Sequence, residues 1–310
     1  HLNEQDLKDY VRKIRRAEEI LNKPIGILVD LQGPKIRIGK VKGHENFLHK
    51  DNIFALDLKK EIGNSKRVTL PNKKIFSSVK KGQLILLDDG KIHLKVTSIR
   101  SNEIRTKVLQ GGYLKSNKGV NLPQTNIKTS ALSTLDKGFA RIAVQEGVDW
   151  IALSFVQKPN DIKELQKICL NKVSIMAKIE KPSALDYINE IANLADGIMI
   201  ARGDLGVELP IESVPGWQKK IIRVARVKVR PVVVSTQMLE SMTSSLTPTR
   251  AEVSDVANAV FEGADAIMLS AESASGDYPV ETVKMMNKIA INIEKDSNFN
   301  DILSNQLEDT

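Results

Sequence analysis

Residues 197–210 read Gly-Ile-Met-Ile-Ala-Arg-Gly-Asp-Leu-Gly-Val-Glu-Leu-Pro. The apolar run from Ile198 to Ala201 predicts a buried parallel strand, and it stops abruptly at Arg202, Gly203 and Asp204. A cation, a flexible backbone and a carboxylate therefore share one strand end, the end at which α/β barrels carry their chemistry. Upstream, a second strand-like run over 173–179 brings Lys178 and Glu180 to its own end. Two carboxylates and a lysine on neighbouring strand ends suit a divalent metal ion handling a phosphoryl group. Taken singly, Asp204 or Glu180 reads equally well as a helix cap or a surface charge. The pair with Lys178 beside it favours the site.

The elements that must hold these groups follow an α/β rhythm. Leu7, Val11, Ile14, Ala17, Ile20 and Leu21 space like one face of a helix over 4–21; Pro24 ends it, and an apolar strand follows over 25–29. Asp30, Lys35 and Arg37 come next, around a Gly33-Pro34 turn. Short alternating runs then replace the helical periodicity, broken by Gly, Asn and Asp, with Asp88-Asp89-Gly90 as a hairpin signal. These predict a small all-β domain over 40–118, inserted into the α/β framework of 1–39 and 119–295. Helices over 133–146, 161–170, 184–194, 216–227, 250–262 and 280–294 alternate with strands over 148–154, 173–179, 197–201, 231–236 and 265–270; 296–310 is a polar tail. The count is about six strand–helix units, short of the eight a closed barrel needs, so the expected fold is an incomplete (β/α)8-type barrel or an open parallel sheet.

Bulk properties narrow the function classes. The 310 residues carry a net charge of +8, but the lysines are scattered and aromatics are only 4%, which argues against a nucleic-acid platform and for a site that takes anionic substrates. The single cysteine, Cys169, excludes an internal disulfide framework and fits a reducing cytoplasm. No apolar run is long enough for a membrane span, and no signal-peptide pattern is present. The chain opens on His1 rather than Met and is read as a fragment or processed product.

Several motifs carry a specific resemblance. Ser174-Ile-Met-Ala-Lys-Ile-Glu-Lys-Pro-Ser-Ala-Leu185 is similar to the active-site signature of the pyruvate kinase family. Ala201-Arg-Gly-Asp-Leu-Gly-Val-Glu208, Thr236-Gln-Met-Leu-Glu-Ser-Met242, 248–259 and Met268-Leu-Ser-Ala-Glu-Ser273 resemble that family too, as do 118–123 and 88–90, all in the family's order. The resemblance implies a β/α barrel with an inserted β-barrel lid, transferring phosphate from phosphoenolpyruvate to ADP. It implies Glu180 and Asp204 as ligands of Mg²⁺ or Mn²⁺, and Lys178 facing the transferring phosphoryl group, with a simple pairing to Glu180 as the alternative. Ala201, Arg202 and Gly203 resemble the turn whose amides face the substrate carboxylate, with Arg202 either there or anchoring the turn by an ion pair. Thr236 resembles the threonine beside the enolate's methylene carbon. A threonine is too weak an acid to act alone, so a water relay with Ser270 and Glu272 is implied, unless Thr236 only caps a helix. Ser154 and Phe155 resemble a pair lining the site. Arg37, Asp89, Lys118 and His1 are implied on the nucleotide side.

Two departures from the family pattern matter. After Asp30 the chain reads Leu-Gln-Gly-Pro-Lys, with Lys35 where K⁺-requiring members carry glutamate. A tethered ammonium supplies the unit charge an ion would bring, so activity without K⁺ is expected. Secondly, an arginine-containing segment, the first two barrel strands and a C-terminal domain have no counterpart. The resemblance thus implies a homotetrameric parent kinase and a weakly active or inactive 310-residue piece. A non-catalytic relative that only binds metal and substrate is the alternative; a lyase or aldolase is disfavoured by the lid.

Overall fold

The structure is a computed structural model that describes residues 2–43, 46–125 and 130–299. The chain divides into two compact units: one holds 1–33, 131–205 and 212–310, the other 34–130 together with 206–211. The expected limits of the insert, 40–118, lie inside the second unit.

The first unit is built on six parallel strands, Leu28–Asp30, Trp150–Leu153, Ser174–Ile179, Gly197–Ala201, Val232–Ser235 and Ala266–Met268, paired in that order. The order never reverses, so the sheet is wound in one sense like an arc of a barrel, without the switch point of a doubly wound sheet. The fold class is that of an α/β barrel left incomplete, as the sequence predicts. The fourth strand is buried at every residue, whereas the sixth has Ala266 exposed and Ile267 and Met268 half-buried. One face of the sheet packs Ala152, Met176 and Met199 with Leu28, Trp150, Val233 and Met268. Gly197 leaves room for this packing, since a Cβ would lie 3.1 Å from both Met176 Cε and Trp150 Cζ3.

The helices begin where their caps dictate. Asn3, Ser133 and Thr249 each accept from the amide three residues on and receive a carboxylate in return, which sets the starts of Glu4–Leu21, Thr134–Gln145 and Arg250–Phe261. The first strand starts later than the apolar run 25–29 predicts. Ile27 is taken by the neighbouring loop, its N–H donating to Asp149 Oδ2 at 2.7 Å and its carbonyl accepting from the amides of Asp149 and Trp150. Arg15 closes this corner on Asp149 at 2.9 Å. The Ile27 amide, with help from Arg15, holds the Asp149 carboxyl below the usual carboxylate range. The helix expected over 184–194 is two, Pro182–Leu185 and Ile188–Leu194, because Tyr187 leaves helical geometry at φ −115°, ψ 18°.

In the second unit a six-stranded sheet, ordered Arg67–Thr69, Ile53–Asp57, Glu103–Gln110, Ile92–Arg100, Leu84–Leu87 and Val120–Asn121, is joined by a two-stranded ribbon of Asn46–Leu48 and Gly112–Leu114. Its core gathers Phe54, Leu56, Ile75, Ile85, Leu87, Leu94 and Ile104. The predicted hairpin at 88–90 is present, with φ of 51°, 53° and 82° at Asp88, Asp89 and Gly90. Among the described residues no helix is long and apolar enough to cross a membrane.

Candidate active site

Parallel pairing carries the C-terminal ends of the first three strands to one level, since Asp30 registers with Ala152 and Ala152 with Met176. Lys178 is the hub. Its Nζ lies 3.0 and 2.9 Å from the Asp30 carboxylate oxygens, 2.9 Å from Ser154 Oγ and 3.1 Å from Glu180 Oε1. Burial pulls the Lys178 ammonium down, but the charges of Glu180 and Asp30 outweigh it and hold the group above its ordinary value. Glu180 is only 2% exposed, and its other oxygen accepts from the Phe155 amide at 2.8 Å. Burial drives the Glu180 carboxyl above the usual range; Lys178 opposes this and the charge of Asp204 adds to it.

Backbone strain surrounds these groups. Phe155 has φ 56°, which lets its amide point at Glu180. Gly33, at φ 68°, lies under the Phe155 ring, and a Cβ there would come within 2.7 Å of Cδ2. The Gly33 amide is tied to Asp136, the residue that also closes the capping box of the next helix.

On the other side, the fourth strand runs directly into the helix Arg202–Glu208. Arg202 is an anchor: it reaches Asp255 Oδ1 at 2.7 Å, the carbonyls of Ser235 and Thr236, and Met238 Sδ. The Gly203 amide donates to Thr236 Oγ1 at 2.7 Å. Thr236 and Gln237 stand at φ 71° and 54°, a true outlier for Thr236, which is β-branched. Ala201 ends its strand buried. Glu272 is fully buried and accepts from the amides of Leu239 and Ser270, so its visible task is to brace two loops.

The nucleotide-side residues belong to the second unit. Arg37 is held by a backbone bridge to Gly119 and donates to the Asn117 carbonyl at 3.1 Å. Lys118 pairs with Asp88 at 2.7 Å. Asp88 is buried while Asp89 is exposed, so the charge built into this turn is Asp88, which the sequence pattern does not single out from its neighbour. The Lys35 stem lies beside Gly119, its Cε 3.4 Å from where a Cβ on that glycine would be. His1 lies outside the described residues. Asp255 and Asp136 also escape sequence reasoning. Asp255 sits in a helical run and Asp136 has the spacing of an ordinary cap, with nothing local to mark their distant partners.

The donor set suits a hard divalent cation. Glu180 is buried and feels a second carboxylate, Asp204; the two offer oxygen donors, and the Glu180 oxygens are engaged by Lys178 and the Phe155 amide. Among the described residues no group of three or more His, Cys, Asp or Glu side chains is placed to hold a metal ion.

Comparison with known proteins gives consistent results. Residues 1–283 match the family model described as the barrel domain of pyruvate kinase. The chain is 50% identical over 306 residues to a pyruvate kinase of Methylorubrum extorquens, covering 99% of this chain and 64% of that protein. It is 47% identical over 304 residues to one from Agrobacterium vitis, covering 98% and 64%. A third, from Thermotoga maritima, is 42% identical over 300 residues, covering 96% and 64%. The chain thus spans a little under two thirds of the length of these relatives.

Proposed function

The chain belongs to the pyruvate kinase family, and from that premise we propose that its activity is transfer of the phosphoryl group of phosphoenolpyruvate to ADP, giving pyruvate and ATP. The observation that carries this reading is Lys178 Nζ set 3.1 Å from Glu180 and 2.9 Å from Asp30 at the mouth of a parallel sheet. In this reading Glu180 and Asp204 hold Mg²⁺ or Mn²⁺. When bound, that ion neutralises phosphoryl oxygens and orients them. Lys178 stabilises the loose, metaphosphate-like transition state by its charge, and burial strengthens that effect. Ser154 and Asp30 keep the ammonium in place. Arg202 anchors the turn, so that the backbone of Ala201, Gly203 and Asp204 offers fixed amides to the substrate carboxylate; Thr236 Oγ1, now bonded to the Gly203 amide, would have to yield it. Thr236, through a water relay that includes Ser270 and the Glu272 brace, protonates the enolate carbon. Arg37, Asp89, Lys118 and His1 serve the nucleotide. Lys35, with Asp30, takes the place of a monovalent cation. The parent assembly is a homotetramer working in the cytoplasm, without nucleic acid or membrane.

A second reading is favoured by the open sheet, whose first and sixth strands each pair on one side only among the described residues. In that reading the 310-residue chain binds metal and phosphoenolpyruvate but turns over weakly. One experiment separates the readings: Mn²⁺ binding followed by electron paramagnetic resonance, alongside pyruvate formation from phosphoenolpyruvate and ADP. Binding that weakens at least ~10-fold in Glu180→Gln and Asp204→Asn supports the site. Pyruvate release then distinguishes kinase from binder, and Mn²⁺ affinity unchanged in both variants refutes the assignment.

A further inference from the structure

The Ser154–Phe155 dipeptide holds both members of the Lys178–Glu180 pair. Ser154 Oγ accepts from Lys178 Nζ at 2.9 Å, and the Phe155 amide donates to Glu180 Oε2 at 2.8 Å. The φ of 56° at Phe155 is what turns that amide toward Glu180. A left-handed residue with a side chain costs ~1 kcal/mol or more and persists only where its surroundings over-determine it. Gly33 is part of those surroundings. A Cβ on it would lie 2.7 Å from Phe155 Cδ2 and 3.1 Å from Ser154 Cβ, so its bare backbone packs directly against the dipeptide. Gly33 is held in turn by Asp136, whose Oδ1 accepts from the Gly33 amide at 3.2 Å across 103 positions. Asp136 is 1% exposed, and its other oxygen accepts from the Ser133 amide at 2.9 Å and from the Ser133 hydroxyl. A capping box needs only that second oxygen. The first is spent on the segment that follows the strand Leu28–Asp30.

We propose that Asp136 is a positioning residue for the Lys178–Glu180 pair, holding Gly33 against Ser154 and Phe155 so that their hydroxyl and amide stay on the two charges. Asp136 acts through Gly33 and touches neither charge itself. Loss of its carboxylate leaves the half-buried Gly33 N–H without this acceptor, a loss that costs free energy unless the backbone shifts to find another. Once Gly33 shifts, Phe155 loses a contact that opposes relaxation to negative φ, and its amide turns away from Glu180. A displacement of about 1 Å in such a support is enough to impair a site. Every residue in this chain of contacts belongs to the first unit. The positioning stands on geometry, and only its effect on metal binding rests on the reading of Glu180 as a ligand.

The test uses the whole 310-residue chain with its 7 phenylalanines labelled with ¹⁵N, and reads hydrogen exchange by magnetic resonance. The Phe155 amide reports on the dipeptide, Phe139 on the capped helix Thr134–Gln145, and Phe261 on the separate helix Arg250–Phe261 as a control. Ser133→Ala removes the cap hydroxyl and leaves Asp136 on Gly33, whereas Asp136→Ala removes both contacts. Relative to Phe261, exchange at Phe139 should quicken by about 10-fold in both variants, and exchange at Phe155 by about 10-fold in Asp136→Ala alone. If Phe155 keeps its protection in Asp136→Ala, or loses it equally in Ser133→Ala, Asp136 is no more than a cap and the proposal is overturned. Should Asp136→Ala fail to fold, Asp136→Ser replaces it: the serine hydroxyl can still serve Ser133 but is too short to reach Gly33, so Phe155 must again lose protection. Failure of both to fold makes Asp136 a folding residue and overturns the positioning role. Mn²⁺ alone gives the other readout, its affinity expected to fall several-fold in Asp136→Ala and to hold in Ser133→Ala; an equal fall in both again reduces Asp136 to a cap. Absence of Mn²⁺ binding in the unaltered chain refutes the ligand assignment and leaves the positioning to the exchange result.

Discussion

At the scale of single residues, the site turns on how much charge it confines. Lys178 sits between Asp30 and Glu180, and Asp204 is close enough for its charge to be felt at Glu180. Lys178→Met would leave Glu180 buried without its counter-charge, and breaking a buried pair in this way costs about 3 kcal/mol or more. The sign of the pH dependence follows from Glu180. Its folded-state carboxyl is already raised, so its ionisation opposes folding above that value and ceases to do so as pH falls through it. The stability deficit of Lys178→Met should therefore be largest at neutral pH and shrink toward pH ~4.5, near the ordinary glutamate value. Urea melts of both proteins at the two pH values measure this, and a deficit independent of pH would show that Glu180 was never the stranded group. Turnover of the variant should fall by about 10³-fold or more. Lys35 leads to a separate expectation: activity equal with and without K⁺ in a buffer free of monovalent metal ions, against which a many-fold rise on adding K⁺ would count decisively. Residue types at strand ends were legible because charge after an apolar run is conspicuous. Partnerships were not: Arg202 finds Asp255 across 53 positions, and Asp88 rather than Asp89 is the buried carboxylate of the turn.

At the scale of elements, legibility follows the strength of local signals. The helix Arg250–Phe261 announces itself by Thr249 and Glu252 at capping-box spacing, and the fourth strand by an unbroken apolar run. The strands Asn46–Leu48, Gly112–Leu114 and Val120–Asn121 are too short to carry a period, and the helix Lys73–Ser78 spans less than two turns, so these could only come from tertiary pairing. Glu252 does more than cap. Its oxygens accept from the Thr249 amide and hydroxyl and from the amide and hydroxyl of Ser241, which ties the Thr236–Met242 loop to the following helix. Burial alone would raise this carboxyl, but the four donors outweigh it and hold it below the usual range. A depressed carboxyl contributes stability above its unfolded value that is lost as pH falls through the folded one. Glu252→Gln should accordingly lower stability by about 1–3 kcal/mol at neutral pH, because an amide group meets donors where an acceptor is needed. The two proteins should converge in acid below the normal glutamate range. Thermal melts from neutral to acid pH test both the size and the convergence; parallel curves would mean that the clamp is not ionic.

At the scale of the whole molecule, the decisive feature is a parallel sheet with two ends. Parallel sheets are stable when both faces and both edges are covered, and burial here declines outward from the fourth strand. The sixth strand uses one side for its ladder with Val232–Ser235, and no further strand pairs with it among the described residues. Ala266, in the middle of the Asp265–Ile267 stretch, is exposed, and an exposed edge of this kind templates pairing with another chain. The 310-residue chain should therefore self-associate as its concentration rises, through backbone pairing rather than surface charge, since a net charge of +8 would oppose association. Adding salt, which screens that repulsion, should strengthen association. Ala266→Lys sets a charge on the exposed face of the edge strand and leaves its backbone pairing with the Val233 strand intact, so it should shift self-association to higher concentration by about 10-fold while changing stability by less than about 0.5 kcal/mol. Sedimentation velocity over a concentration series, at low and high salt, reads both effects. Equal association of the two proteins would place the contact elsewhere, and a chain monomeric throughout would mean that the edge is protected by some other feature of the fold.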